Sequence, residues 1–323
     1  MISRRAFLIS VAGVGAPLEA GAQRPTAVPR VGVVAQDIQP GLMETFRDEL
    51  QRLGYLEGKS VSIDVRNAGG RSDRLPPLVA DLLRLKVDVL VAVNTPAAKA
   101  AQNATRTVPI VIMRVADPVQ AGLVRSLGHP GANVTGVSFM PDVLGAKAVE
   151  ALCQTIPTVS RVAAFYKADN PGALLVVTET ERRSAELGVR FERFPIHEPG
   201  ELPDSFAAAA RAGVQAAFVM DDGAMTKLRG PFLKQASRRS LPVVSIYKDF
   251  AEAGGLFAYG PDLDHVYRRA AHYVVRILKG ANPGELPVEQ ADTFHFVINL
   301  KTARALGLTI PSFLLLRANH VIE

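Results

Sequence analysis

Tryptophan is missing from all 323 residues, and cysteine occurs once, at Cys153. A single thiol excludes any intrachain disulfide. Cys153 shares a helical face with Val149, Leu152 and Ile156, which marks it as a buried, inert side chain and not a nucleophile. Aromatic residues make up only 6% of the chain, so stacking on a ligand falls to Tyr or Phe. Equally absent are His-Glu-x-x-His, Cys-x-x-Cys, a Walker loop and a Gly-x-Ser-x-Gly elbow. Gly13 and Gly15 begin a Gly-x-Gly pattern, but they lie in the N-terminal segment and lead to no dinucleotide fingerprint. The six histidines are dispersed, with His265 and His272 a heptad apart, so neither a metal nor another cofactor is expected. Basic residues are scattered: beyond Arg4-Arg5 the adjacent pairs are Arg182-Arg183, Arg238-Arg239 and Arg268-Arg269, with no aromatic interleaving. That excludes a nucleic-acid surface as the leading reading. No apolar run reaches the roughly 20 residues that span a bilayer.

What the chain does have is 48% hydrophobic and 21% charged residues, enough for two cores of an α/β protein and foreign to a disordered or fibrous chain. Its first residues differ from the rest. Arg4-Arg5 precede Phe7-Leu8 and an apolar stretch through Val14, and Ala20-Gly21-Ala22 supplies the small-x-small pattern of a peptidase site. Residues 1 to 22 are therefore expected to be a cleaved export signal, and the paired arginines point to the twin-arginine route. Pro17 and Glu19 break the apolar run, which argues against a membrane anchor. With no cysteine near the cleavage site, the expected product is a soluble periplasmic protein and not a lipoprotein. Its net charge would fall from +6 to +5 on losing Arg4, Arg5 and Glu19.

The chain is organised around residues 87 to 124. Val87–Val93 and Ile110–Val115 are continuous apolar runs of the kind buried on both faces of a parallel sheet, and each runs into an expected helix start. In the first, Asn94-Thr95 caps and Pro96 occupies a position where a missing N–H costs nothing; in the second, Asp117 caps and Pro118 follows. Either start alone reads as an ordinary cap. Side by side, they place two helix N-termini at the carboxyl edge of a sheet, where open α/β sheets bind ligands.

The same rhythm runs from end to end. Strands are expected at 31–35 and 61–65, then at Val162–Tyr166, Val189–Phe194, Val214–Met220 and Val243–Tyr247. Helices separate them, including one with a third cap-plus-proline start at Asn170-Pro171. A turn-rich break at Pro130–Gly136 marks the exit from a first lobe. Helix 262 to 279 carries a clean apolar stripe, and short strands at Leu286–Gln290 and Phe294–Ile298 precede a final helix and tail. The expected fold is therefore α/β, with two doubly wound parallel-sheet lobes around a cleft. Asp221-Asp222 pairs carboxylates, but sequence neighbours at a strand end point apart, which suits one ligand contact better than a catalytic dyad. An exported two-lobed chain with a polar cleft and no catalytic constellation reads as a binder. Within the cleft, Thr95 and the N–H groups after Pro96 are expected to hold an anion, leaving a cationic group to Asp117 or Asp221.

Several stretches also carry a family likeness: FRDELQRLGYLEGKSVSIDVR from Phe46, Thr95-Pro96-Ala97, ADPVQAGLVRSL from Ala116 and GANVTGVS from Gly131. GGLFAYGPDL from Gly254, YRRAAHYVVRILKGANPGELPVEQ from Tyr267 and INLKTARALGLTIPSFLLLRANHVIE from Ile298 extend it over the chain. The sequence resembles the tryptophan/tyrosine-type substrate-binding proteins of ABC transporters. The resemblance implies a type I periplasmic-binding-protein fold with a three-segment hinge. Its first lobe would be 30–139 plus 262–279, and its second 142–254 plus 286–323. It further implies delivery of captured ligand to an inner-membrane permease, with a cleft lined by Gln36, Thr95, Asp117, Asn170, Asp221 and Tyr247; the expected ligand is a small amino acid, aromatic or carboxylate-bearing metabolite, and a monomer is the default for such a binder. Tyr166-Lys167 stands where the family commonly has an aromatic-Asn pair, and Lys167 would add positive charge to the cleft. Two alternatives stay open: presentation of the ligand to a membrane receptor, and an enzyme on the same scaffold.

Overall fold

The computed structural model describes residues 28–139, 141–220 and 223–323. The expected export signal lies outside them, as do Asp221 and Asp222. The chain begins with β1 (Arg30–Ala35), α1 (Pro40–Arg52), β2 (Ser62–Asn67), α2 (Leu75–Arg84), β3 (Val89–Val93), α3 (Thr95–Ala104), β4 (Ile110–Val115) and β5 (Val134–Ser138). It continues through α4 (Pro141–Thr155), β6 (Arg161–Lys167), α5 (Pro171–Ser184), β7 (Arg190–Ile196), α6 (Leu202–Arg211), β8 (Ala216–Met220), α7 (Gly223–Ser237), β9 (Val243–Ser245), α8 (Lys248–Glu252) and β10 (Phe257–Pro261). Last come α9 (Leu263–Leu278), β11 (Glu289–Gln290), β12 (Phe294–Asn299), α10 (Leu300–Ala305), α11 (Ser312–Arg317) and β13 (His320–Ile322).

Two sheets result. The first has the order β11-β5-β4-β3-β1-β2, and the second β13-β12-β10-β9-β8-β6-β7. All described pairings are parallel except β10 with β12. Every residue of β3 and β4 is buried, as their unbroken apolar runs require. Alternation along β1 shows why: Val31, Val33 and Ala35 pack towards α1 and α9, while Val34 faces the core under α2 and α3. The second sheet builds an aromatic core from Phe165, Phe206 and Phe232, whose rings lie 4.8–5.0 Å apart. Such contacts add to the burial of large apolar area. The chain crosses between sheets three times: from β5 to α4, from β10 to α9 and from β11 to β12.

Two expectations fail locally. No helix follows β4: residues 118–122 form turns, and the N–H groups of Leu123 and Val124 return to the carbonyl of Pro118. Gly122, at φ 63°, takes a left-handed conformation that stops helical continuation. The second concerns 286–290, which was expected in the second lobe. Instead β11 pairs with β5 in the first sheet, Glu289 beside Val137. It is held there by the Thr135 hydroxyl, which donates to the Leu286 carbonyl at 2.7 Å, and by Arg269 of α9, which grips Glu289.

Candidate ligand-binding site

The carboxyl ends of strands from both sheets surround a tight cavity of about 10 Å³. From the first sheet come Asn94 and Thr95 after β3, Arg114 and Ala116 at the end of β4, and Phe139 after β5. Its other wall is the start of α5 (Asn170, Gly172, Ala173) with Met220 and Tyr247. All of these side chains are buried.

Asn94 caps α3, its Oδ1 accepting the Ala97 N–H at 3.3 Å, and does so from φ 76°, a conformation that Asn tolerates better than most residues. Asn170 caps α5 in the same way, accepting from Gly172 and Ala173 at 2.9 and 3.3 Å. The two helix starts nearly touch: a Cβ on Gly172 would stand 2.4 Å from the Thr95 hydroxyl. Only a hydrogen at that position allows the two walls to meet so closely. Among the described residues the Thr95 hydroxyl has no hydrogen-bond partner, although the residue is buried.

Arg114 is the described cation of the cavity and is only 4% exposed. It sits where the register of β4 against β5 shifts, between Ile112 and Val115, and at φ 58°. A bulge of this kind re-aims a side chain. Its guanidinium lies 5.0 Å from the centre of the Tyr247 ring, a cation–π contact that joins the two walls. Burial pushes the Tyr267 hydroxyl up from its ordinary pKa, and the charge of the neighbouring Arg114 pulls the other way.

Of the six residues expected in the cleft, Thr95, Asn170 and Tyr247 line the cavity. Gln36 stands one layer behind: it is fully buried, donates to Ser72 Oγ at 2.8 Å and accepts from Asn94 Nδ2 at 3.3 Å. Its contact is with the capping residue, which it positions. Asp117 lies outside this cavity, on the rim, and its Oδ1 accepts the N–H groups of Val119 and Gln120, both at 2.9 Å. That is the behaviour of a turn cap. Asp221 falls outside the described residues. Lys167 does not bring its charge to this cavity; it lines an outer groove, bonded to the His197 carbonyl and 3.5 Å from Asp169. Arg114 escaped the sequence reading, although an arginine in the run IVIMRV was the available signal. Cys153 is half-buried on α4, and burial pushes its thiol up, away from reactivity.

The profile of ABC transporter substrate binding proteins matches residues 31–322. The chain belongs to this family. It is 26% identical over 264 residues to the tyrosine-binding protein of Clostridioides difficile (strain R20291), covering 81% of this chain and 75% of that one. Among solved structures, the ABC domain of Streptococcus pneumonia in complex with L-Trp matches with a TM-score of 0.85 at 28% identity, over 91% of this chain and 99% of that one. A ligand-free, open substrate binding protein with adhesive properties from Clostridium difficile matches with a TM-score of 0.67 at 25% identity, over 92% and 99%. The fold is thus the α/β, two-sheet architecture of periplasmic binding proteins, and these relatives are binders. Among the described residues no helix is long and apolar enough to cross a membrane.

Proposed function

We propose that this chain captures a small carboxylate-bearing molecule, an amino acid or a related metabolite, between its two sheets and delivers it to an ABC transporter permease. The observation that carries this reading is the buried cavity at the carboxyl ends of both sheets, walled by Thr95 on one side and by Asn170 and Tyr247 on the other. Three crossings between the sheets supply a hinge, so ligand contacts from both walls favour the closed arrangement by their differential affinity for it. The nearer match to the L-Trp complex than to the open relative supports reading this arrangement as the closed one. Asp221, next in sequence to the cavity residue Met220, is assigned to a cationic group of the ligand, such as an amino acid's ammonium.

Export through the twin-arginine route, on Arg4-Arg5, would place the protein in the periplasm as a soluble monomer. The deciding experiment is mass spectrometry of the small molecule that copurifies with the protein, followed by thermal unfolding with that compound. Stoichiometric stabilisation without turnover is expected. Product formation would move the chain to the enzymes, and the absence of any small-molecule ligand would end the binding reading.

A further inference from the structure

The central cavity, at about 10 Å³, has room for no more than about one water, so the charged groups of a ligand need further space between the walls. Such space lies beside it. A chamber of about 110 Å³ opens between α3, the turns after β4 and the first turns of α5, and Thr95 and Gly172 border both spaces. Lys99 stands one helical turn after Thr95 on the same face of α3 and lines the chamber. Its ammonium leans over the turn that follows β4: a Cβ on Gly122 would stand 3.6 Å from Lys99 Nζ. Among the described residues half-buried Lys99 has no hydrogen-bond or ion-pair partner, and neither has the Thr95 hydroxyl, although Thr95 is only 4% exposed. Asp117 lines the chamber as well, with its Oδ1 engaged by the N–H groups of Val119 and Gln120.

Resting on the binding role proposed above, we infer that Lys99 is a specificity-determining residue: with the Thr95 hydroxyl and the N-terminus of α3, its ammonium receives the carboxylate of an amino-acid ligand and discriminates against the uncharged amide. The hydroxyl offers one donor, the ammonium three on a flexible stem, and the helix start adds positive potential. A half-buried ammonium is still hydrated while the chamber is empty, and it gains a charge-assisted hydrogen bond once Pro171 and Leu175 of the second wall cover a bound carboxylate. Because Asp117 brings a carboxylate to the same chamber, a bare anion meets charge of its own sign there, whereas a ligand with its own ammonium answers both. The selecting cation is thus supplied by the helix whose start the ligand touches. It is not the guanidinium of Arg114, which is engaged by the Tyr247 ring and the Tyr267 hydroxyl.

The test compares acid and amide. Wild type, Lys99→Gln and Lys99→Arg are titrated calorimetrically with L-tyrosine, L-tryptophan and L-leucine, each against its α-amide, with thermal unfolding of every variant measured in parallel. The titrations are run at about pH 6.5, where acids and amides alike keep the α-ammonium. Wild type should prefer acid over amide by at least about tenfold, the size of one charge-assisted hydrogen bond. Lys99→Gln should cut that preference at least about fivefold by weakening the acid, with amide affinity held within about twofold, and Lys99→Arg, which keeps the charge, should retain most of it. A lysine that only solvates the face of α3 would leave the ratio of Lys99→Gln at the wild-type value, and a merely structural one would weaken acid and amide alike; either result overturns the inference. It is also overturned if wild type binds none of the three acids, or if the copurifying ligand carries no carboxylate. Binding of an uncharged ligand would leave the transport role standing. Should Lys99→Gln fail to fold, Lys99→Ala, which suits a helix interior, takes its place with the same expected ratio.

Discussion

Gly172 shows how much can depend on a missing side chain. It occupies the first turn of α5 and has no left-handed backbone to satisfy, yet a methyl group there would stand 2.4 Å from Thr95 Oγ1 on the facing wall. Within its own helix, alanine is the better residue by up to about 1 kcal/mol. Gly172→Ala should therefore leave the ligand-free protein as stable as wild type or slightly more so, while weakening ligand affinity at least about tenfold by holding the walls apart. Thermal unfolding without ligand and calorimetric titration with the copurifying ligand separate the two effects; equal affinities would show that Thr95 and Gly172 do not meet in the bound state. At this scale the sequence was partly legible. Thr95, Asn170 and Tyr247 follow strand ends, and strand ends can be read from apolar runs. Arg114 could not be placed that way, because its direction comes from a bulge between β4 and β5, a property of the pairing and not of either strand's letters. Asp117 has the letters of a helix cap, but Gly122 ends the turn before a helix forms.

Among the elements, α3 makes the most exacting demand on one residue. Its cap, Asn94, must combine φ 76° with a side-chain acceptor for Ala97, and its amide also reaches Gln36. Alanine at this position loses the cap and strains the backbone, which should cost about 2 kcal/mol; glycine keeps the backbone and should cost only a few tenths. Urea unfolding of Asn94→Ala and Asn94→Gly checks the order, and equal losses would mean that the left-handed backbone is not what the site requires. A second demand is the edge strand β11. Arg269 donates to both oxygens of Glu289, at 2.8 and 2.6 Å, and this holds the carboxyl below its ordinary range against the opposing effect of burial. A lowered folded pKa means that the pair stabilises above the unfolded value of 4.5 and that this contribution is lost as pH falls further. Both side chains are about one-third exposed, so the contribution is only about 0.5 kcal/mol. Glu289→Gln should lower the melting temperature slightly at pH 6 and converge on wild type only as pH falls below the ordinary carboxyl range, through the lowered folded value. Convergence that never occurs would assign the loss to packing. The membership of β11 in the first sheet was hidden from sequence, since a two-residue strand carries no periodicity and its partner is chosen by Arg269 and Thr135.

For the whole molecule, the question is what holds the two sheets together when the cavity is closed. Part of the answer lies at the rim. Lys227 of α7 reaches Asp37 after β1, Nζ to Oδ1 3.6 Å, and Asn67 donates to the same oxygen at 3.2 Å. The aspartate is nearly buried while the lysine is 55% exposed, so this is a partly solvated ion pair spanning the cleft mouth. Such pairs contribute at most about 1 kcal/mol and are screened over about 8 Å at physiological salt. Since the contact joins residues of different sheets, on the proposed hinge reading it would stabilise the closed state without stabilising either sheet alone. Lys227→Ala should therefore leave thermal unfolding of the ligand-free protein unchanged and weaken ligand binding by up to about fivefold at low salt. The difference should shrink towards nothing in molar salt, where the screening length is about 3 Å. Scattering profiles supply the second reading: ligand should reduce the radius of gyration of both proteins to the same value, with the variant needing more ligand to reach it. If the variant binds as tightly as wild type at low salt, Asp37 and Lys227 are neighbours at the rim and no latch. If ligand leaves the radius of gyration unchanged, the hinge reading fails with it.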